Sequence, residues 1–177
     1  MKTCLVGCGG IAAVHGSVLT SGIDTEFVAA ADIKPEKAQT YAENFHTKPY
    51  PSLESMLDAE KPDVLHICTP HYLHVPMTIY ALERNINVFM EKPPAISFDQ
   101  LEELKKAAAK SEAQLGFCYQ NRYNASIRAA KDLIDSGKAG KVLGARAFVT
   151  WCRGAAYYTE SGWRGSLKTE GGGVLIN

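Results

Sequence analysis

Charge of one sign is missing from this sequence: 19 basic and 19 acidic residues cancel over 177 positions. With no basic block, there is no electrostatic footprint for nucleic acid or an anionic membrane. Apolar runs never exceed strand length, which excludes a membrane-spanning helix. The N-terminus, Met1-Lys2-Thr3-Cys4-Leu5-Val6-Gly7, runs straight into a strand and a turn without an apolar leader or cleavage site, so a cytoplasmic protein is expected. Cysteine is scarce and odd in number, at five. Cys4, Cys68 and Cys118 are expected within strands, Cys8 in a glycine turn and Cys152 at a strand end. No second Cys or His pair with zinc spacing answers Cys4 and Cys8, so the thiols read as small reduced hydrophobes and no metal is expected. Internal repeats and low-complexity segments are absent too. What remains is the composition of an ordinary globular protein, 46% apolar and 21% charged.

Strand-sized apolar runs alternate with helix-sized periodic segments. Thr3–Val6 reads as a strand, followed by Ile11, Val14, Val18 and Leu19 at helical spacing in a helix stopped at Gly22. A second strand from Glu26 to Ala31 ends at Asp32, and Pro35 opens a helix through Phe45. A short strand near Pro49–Pro51 precedes a helix capped by Ser52. The fourth strand, Asp63–Cys68, ends at Thr69-Pro70. A helix from about Pro76 to Arg84 and a strand at Val88–Met90 come next. Ser97 and Gln100 have capping-box spacing before a helix through Ala109, and Leu115–Tyr119 is a further strand.

Strands separated by helical crossovers imply an α/β fold, a doubly wound parallel sheet of Rossmann type, over residues 1–121. After a helix from Ser126 to Ser136 the period changes to two. Leu143, Ala145, Ala147, Val149 and Trp151 share one face, while Gly144, Arg146, Phe148 and Thr150 share the other. That pattern belongs to a half-covered antiparallel strand. Residues 122–177 are therefore expected to begin an α+β second domain that is truncated, since one or two strands make no stable layer. An apolar face beside an unpaired edge invites association, so a homo-oligomer through residues 141–177, most simply a dimer, is expected.

The residues suited to chemistry gather at strand ends. Gly7-x-Gly9-x-x-Ala12 follows a strand, and Gly10 and Ile11 open a helix, the context a dinucleotide fingerprint requires. Gly7 allows the tight turn, Gly9 lets a pyrophosphate approach the backbone, and the helix N-terminus offers free N–H groups. Any tight strand–helix turn favours glycine, but Asp32 ends the second strand where an acid would bind the adenosine ribose. Asp32 repels a 2′-phosphate and favours NAD, while Lys34 leaves NADP open. Thr69-Pro70-His71-Tyr72-Leu73-His74 follows the fourth strand at the same edge, either as a plain surface loop or as a contact to cofactor or substrate.

Met90-Glu91-Lys92-Pro93-Pro94 closes the fifth strand. Its two prolines remove backbone donors and stop the strand, presenting Lys92 at the carboxyl edge. Lys92 is either a strand cap paired with Glu91 or a proton relay, its pKa lowered from about 10.4 by partial burial. Tyr157, Tyr158, Trp163 and Arg164 gather aromatic and basic groups. In a neutral chain, core packing or cofactor contact outranks nucleic acid for them.

Gly7-Cys8-Gly9-Gly10-Ile11 with His15, Thr69-Pro70 with His74, Glu91-Lys92-Pro93, Asn121-Arg122, and Trp163-Arg164 before Gly171-Gly172-Gly173 occur in a fixed order. In this the chain resembles the Gfo/Idh/MocA oxidoreductase family. The resemblance implies an NAD(P)-dependent dehydrogenase acting on a sugar, cyclitol or sugar-nucleotide hydroxyl. It makes Lys92 the catalytic lysine and puts Glu91 near the nicotinamide ribose. Thr69, Pro70 and His74 then line the cofactor, Asn121 meets its nicotinamide end, and Trp163 and Arg164 reach it from the second domain. In similar proteins the triple glycine leads to a helix bearing an acid or amide, then a histidine that works with the lysine. Asn177 matches the first, and the second has no counterpart. A dinucleotide-binding module without turnover is the alternative.

Overall fold

Strand-forming runs in this chain are buried on both sides, and parallel pairing with helical crossovers covers both faces. In the computed structural model, which describes residues 1–21, 24–173 and 176, six strands do this. They are β1 (Lys2–Val6), β2 (Glu26–Ala31), β3 (Lys48–Tyr50), β4 (Val64–Ile67), β5 (Asn87–Glu91) and β6 (Leu115–Cys118). All pairings are parallel, in the order β3-β2-β1-β4-β5-β6. Between them run α1 (Gly10–Leu19), α2 (Pro35–Phe45), α3 (Leu53–Glu60), α4 (His74–Leu82) and α5 (Phe98–Lys110).

Alternation along each strand sorts side chains between the faces. Cys4, Val6, Leu65, Ile67, Val88 and Met90 form one core with Met56 of α3, Val75 of α4 and Leu104 of α5. Leu65 and Ile67 are 0% exposed, and burying each contributes about 1.5–3 kcal/mol. On the other face Leu5 and Ala30 pack on Ala12 of α1 and Tyr41 of α2. Ser52 and Ser97 cap their helices by accepting from the Ser55 and Gln100 amides at 3.1 and 3.2 Å. The reciprocal half of the second box shifts by one residue, because Gln100 Oε1 accepts from Ile96 N.

Several expectations are corrected. The helix expected from Pro76 begins at His74, after a 3-10 turn at His71–Leu73. Pro76 then sits in the first turn, where its missing N–H has no intrahelical partner to lose. Cys68 and Tyr119 fall just past their strands. The strand expected over 141–153 does not form. A ladder needs a partner in register, and none pairs with it among the described residues. Both supposed faces are open, with Leu143 91% and Phe148 82% exposed, and Cys152 is exposed beside them. The stop at Gly22 and the match at Asn177 lie outside the described residues.

The chain divides into two compact units, Met1–Cys118 with Trp163–Asn177, and Tyr119–Gly162. The second contains α6 (Ala125–Asp135) and α7 (Ala155–Thr159). The sequence boundary at Asn121 assigned Trp163 onward to the second domain, whereas this segment, with α8 (Leu167–Glu170), packs in the first unit. Glu170 is the anchor, only 3% exposed, accepting from Gly165 N and pairing with Arg164. Among the described residues no helix is long and apolar enough to cross a membrane.

At the amino edge of the sheet a second carboxylate ties β1, β3 and α3. Glu60, 6% exposed, accepts from Tyr50 OH at 2.6 Å and pairs with Lys2 and Lys48, each at 2.9 Å. Hydrogen bonds from Tyr50, Lys2 and Lys48 hold its carboxyl down at about 2. Its contribution to stability is therefore complete above the ordinary carboxylate value of 4.5 and is lost as pH falls through about 2. Glu60→Gln should lower stability at neutral pH by about 1–3 kcal/mol, with the gap to wild type closing as pH approaches 2. Chemical denaturation at pH 7 and near pH 2 checks this. A gap that persists at the acid end would mean that the carboxylate charge is not what matters.

Candidate active site

Because all strands point the same way, the loops after β1, β4 and β5 share one edge. Gly7 leaves β1 with φ +93, and a Cβ there would lie 2.7 Å from Cys68 C and Thr69 N. Only glycine lets these two backbones touch. Gly9 and Gly10 have nothing within 4 Å of where a Cβ would stand. Gly9 is also the N-cap of α1, and no side chain caps that helix. The result is an open cradle at a positive helix end, which fits an anionic diphosphate. Ile11, next in the turn, is 39% exposed. Asp32 ends β2, its Oδ2 accepting from Cys8 N and its Oδ1 from Lys34 N, both at 2.9 Å. Each oxygen keeps a lone pair for a hydroxyl donor.

The loop after β4 is held from below. His74, 0% exposed, sets Nδ1 2.8 Å from Pro93 O and Nε2 2.9 Å from Thr69 O, joining the Thr69-Pro70 turn to the Lys92-Pro93-Pro94 turn. Burial pushes the His74 imidazole down, and the two carbonyls oppose that shift without reversing it. Thr69 Oγ1 is buried with no hydrogen-bond partner among the described residues. An orphaned hydroxyl at this edge fits a ligand that would bond it. Lys92 follows β5 half-buried, before a cis peptide to Pro93, and its N–H donates to Glu91 Oε2 at 3.2 Å.

Beneath these loops lies a polar group that sequence reasoning missed as a unit. His15 of α1 sets Nε2 3.0 Å from Glu91 Oε1 and Nδ1 2.9 Å from His66 Nδ1. Burial, then the neighbouring His15, push His66 down to about 4, so it stays neutral. Burial raises the Glu91 carboxyl, but hydrogen bonds from His15 and Cys118 outweigh it and the net direction is down. Two signals could have found the group. His15 shares the buried face of α1 with Ala12, Gly16 and Leu19. The pairing of His66 with Phe89 puts His66 and Glu91 on one face of the sheet.

Trp163 and Arg164 join the first unit at the 3-10 turn after Pro70. The Trp163 ring meets His71 edge-on at 4.6 Å, and Arg164 lies 4.2 Å over Trp163. His71 Nδ1 donates to Glu170 O at 2.9 Å, and burial lowers that imidazole to about 4. The first unit thus gathers Gly7, Gly9, Gly10, Ile11, Asp32, Thr69, Pro70, His74, Glu91, Lys92, Trp163 and Arg164. Asn121 belongs to the second unit, exposed in the 3-10 turn Gln120–Tyr123, and Tyr157 and Tyr158 are in that unit too, Tyr157 with Arg153 over its ring. The expected aromatic cluster is therefore divided between units.

An open glycine turn at a helix start, an acid after β2 and a lysine at the carboxyl edge define a Rossmann domain of the dinucleotide-binding class. Residues 1–119 match the Gfo/Idh/MocA oxidoreductase family, NAD-binding Rossmann fold, and the chain belongs to it. It is 29% identical over 181 residues to D-glucoside 3-dehydrogenase of Escherichia coli K12, covering 100% of this chain and 50% of that protein. Among solved structures, the WlbA dehydrogenase of Bordetella pertussis in complex with NADH and UDP-GlcNAcA is 30% identical. It superposes with a TM-score of 0.90 over 99% of this chain and 54% of its own. The WlbA dehydrogenase of Chromobacterium violaceum, with the same two ligands, gives 31% and 0.87, over 96% of this chain and 49% of its own. The chain spans about half the length of these relatives.

Proposed function

We propose that this chain carries the cofactor half of an NAD-dependent dehydrogenase that oxidises a hydroxyl of a sugar, cyclitol or sugar nucleotide. The observation that carries the reading is the shared edge: open Gly9, orphaned Thr69 and half-buried Lys92 end neighbouring strands β1, β4 and β5. The α1 N-terminus holds the diphosphate, Asp32 accepts from the adenosine ribose, and the Thr69 hydroxyl finds its missing partner in the ligand. The nicotinamide ring, when bound, supplies the hydride acceptor. Lys92 Nζ takes the proton that the substrate hydroxyl gives up, and the Trp163–Arg164 stack screens this end from water. D-Glucoside 3-dehydrogenase and the UDP-sugar-bound WlbA enzymes support a carbohydrate-like substrate. The exposed segment with Leu143, Phe148 and Trp151 supports self-association of the chain.

Bulk at Gly9 fills the cradle without touching the fold, so Gly9→Val should abolish NADH binding with the melting curve preserved. Titration calorimetry decides, and unchanged affinity removes the fingerprint reading. Asp32→Ala should weaken NAD more than NADP, because the loss of ribose hydrogen bonds is offset for NADP by loss of repulsion. In a form of the protein that turns over, Lys92→Ala should lower kcat by about 10²–10⁴-fold with cofactor affinity nearly unchanged. Near-normal turnover would return Lys92 to the role of strand cap. Light scattering should find a dimer, and a monomer at all concentrations would exclude association.

A further inference from the structure

We propose that His15, Glu91 and Cys118 form a binding site for zinc or a similar divalent transition metal, with His15 Nε2, a Glu91 carboxylate oxygen and Cys118 Sγ as ligands. The inference goes beyond the dehydrogenase reading and does not rest on it. One donor atom from each residue lies within 4.8 Å of the other two. In a tetrahedral zinc site, with bonds of about 2.0–2.3 Å, neighbouring donors stand roughly 3.3–3.6 Å apart. Small side-chain movements therefore close the group on an ion. The 3.0 Å contact between His15 Nε2 and Glu91 Oε1 has to open slightly, and Cys118 already hydrogen-bonds the same carboxylate. The expectation of no metal rested on local Cys and His spacing, whereas these ligands come from a helix and two strands far apart in sequence.

The backbone holds the donors where such a site needs them. Glu91 and Cys118 are register partners at the ends of β5 and β6, so their side chains leave one face of the sheet side by side. His15 meets them from the buried face of α1, and all three belong to the same compact unit. His15 and Glu91 are 7% and 5% exposed, while half-buried Cys118 leaves a way in. Imidazole, carboxylate and thiolate together suit zinc or cobalt better than magnesium or calcium, which prefer all-oxygen shells. His66 supports the set from behind. Its Nδ1 lies 2.9 Å from His15 Nδ1, and when His15 Nδ1–H donates there, Nε2 keeps its lone pair for the metal. Metal-binding histidines are commonly oriented in this way, through the ring nitrogen that does not bind the ion. Edge-on contact with His66 and a tilt against Phe89 fix the plane of the ring. The ion takes the thiolate, so the Cys118 proton leaves to solvent as it binds. Three protein ligands leave the fourth tetrahedral position for water.

Cobalt(II), which enters zinc sites and is visible by absorption, is the probe, titrated into the 177-residue chain under a non-thiol reductant. A thiolate-to-cobalt charge-transfer band should grow and saturate at about one equivalent, and added zinc should remove it. Cys118→Ala should abolish the band. Cys152→Ser, which deletes the exposed thiol, should keep it. His66→Phe leaves the three ligands in place, so the band should keep its position while cobalt binds about 10–100-fold more weakly. Circular dichroism melts establish that each variant folds. Should Cys118→Ala fail to fold, His15→Gln and Glu91→Gln, close in size to the residues they replace, should each weaken cobalt binding by about tenfold or more. The absence of a saturable band, a band that survives Cys118→Ala, or one that vanishes with Cys152→Ser overturns the proposal and leaves the group a hydrogen-bonded cluster.

Discussion

At Gly7 the chain leaves β1 with φ +93, and the space a Cβ would take is filled by the backbone of Cys68 and Thr69, 2.7 Å away. The consequences spread from that contact. The turn after β1 lies against the turn after β4, so α1 starts directly over the sheet edge. From there His15, in the second turn of α1, reaches both His66 and Glu91. On the other side the Thr69 carbonyl is left for His74, which carries the restraint to Pro93 and so to the lysine turn. A side chain at Gly7 would push two loops apart and slacken both routes to Lys92.

Two buried carboxylates sit at opposite ends of this sheet, and different partners hold them. Glu60 is held by two lysines and a tyrosine, groups that keep their protons across the physiological range. It is a fixed tie at the amino edge. Glu91 is held by a histidine, a thiol and a backbone N–H. Glu91 lies at the edge that carries the glycine turn and the lysine, and Glu60 lies at the opposite edge.

Much of this was legible locally. The strands announce themselves as apolar runs closed by Asp32, Thr69 or Pro93, and Ser52 and Ser97 mark helix starts by chemistry that needs no tertiary partner. The misreadings share a cause. Residues 141–153 alternate as a strand should, but alternation says only which face would be buried, and pairing depends on a neighbour supplied from elsewhere. His15 read only as one member of a motif, and it took the register of β4 with β5 to put His66 and Glu91 on one face and the placing of α1 to bring His15 to both. The segment Trp163–Asn177 could not be assigned to a unit from sequence, because its anchor is a buried carboxylate whose partners are Gly165 N and Arg164, and whose backbone carbonyl receives His71 from 99 residues away.

The strand order explains why a dinucleotide site can be assembled on this edge. The chain builds β1, β2 and β3 outward in one direction, then returns to lay β4, β5 and β6 on the other side of β1. The crossovers part at β1 and β4, and that opening is where open α/β sheets take ligands. Neighbouring strands are about 4.8 Å apart, so Asp32 after β2 and Lys92 after β5 stand roughly 14 Å from each other across the edge. The Gly7–Gly10 turn and Thr69 fall between them in that order. A dinucleotide laid across the strands would meet an acid, a phosphate cradle, a free hydroxyl and a lysine in sequence. Lengthening the ladder by one strand between β1 and β5 would break that succession, so the chemistry depends on topology as much as on the residues themselves.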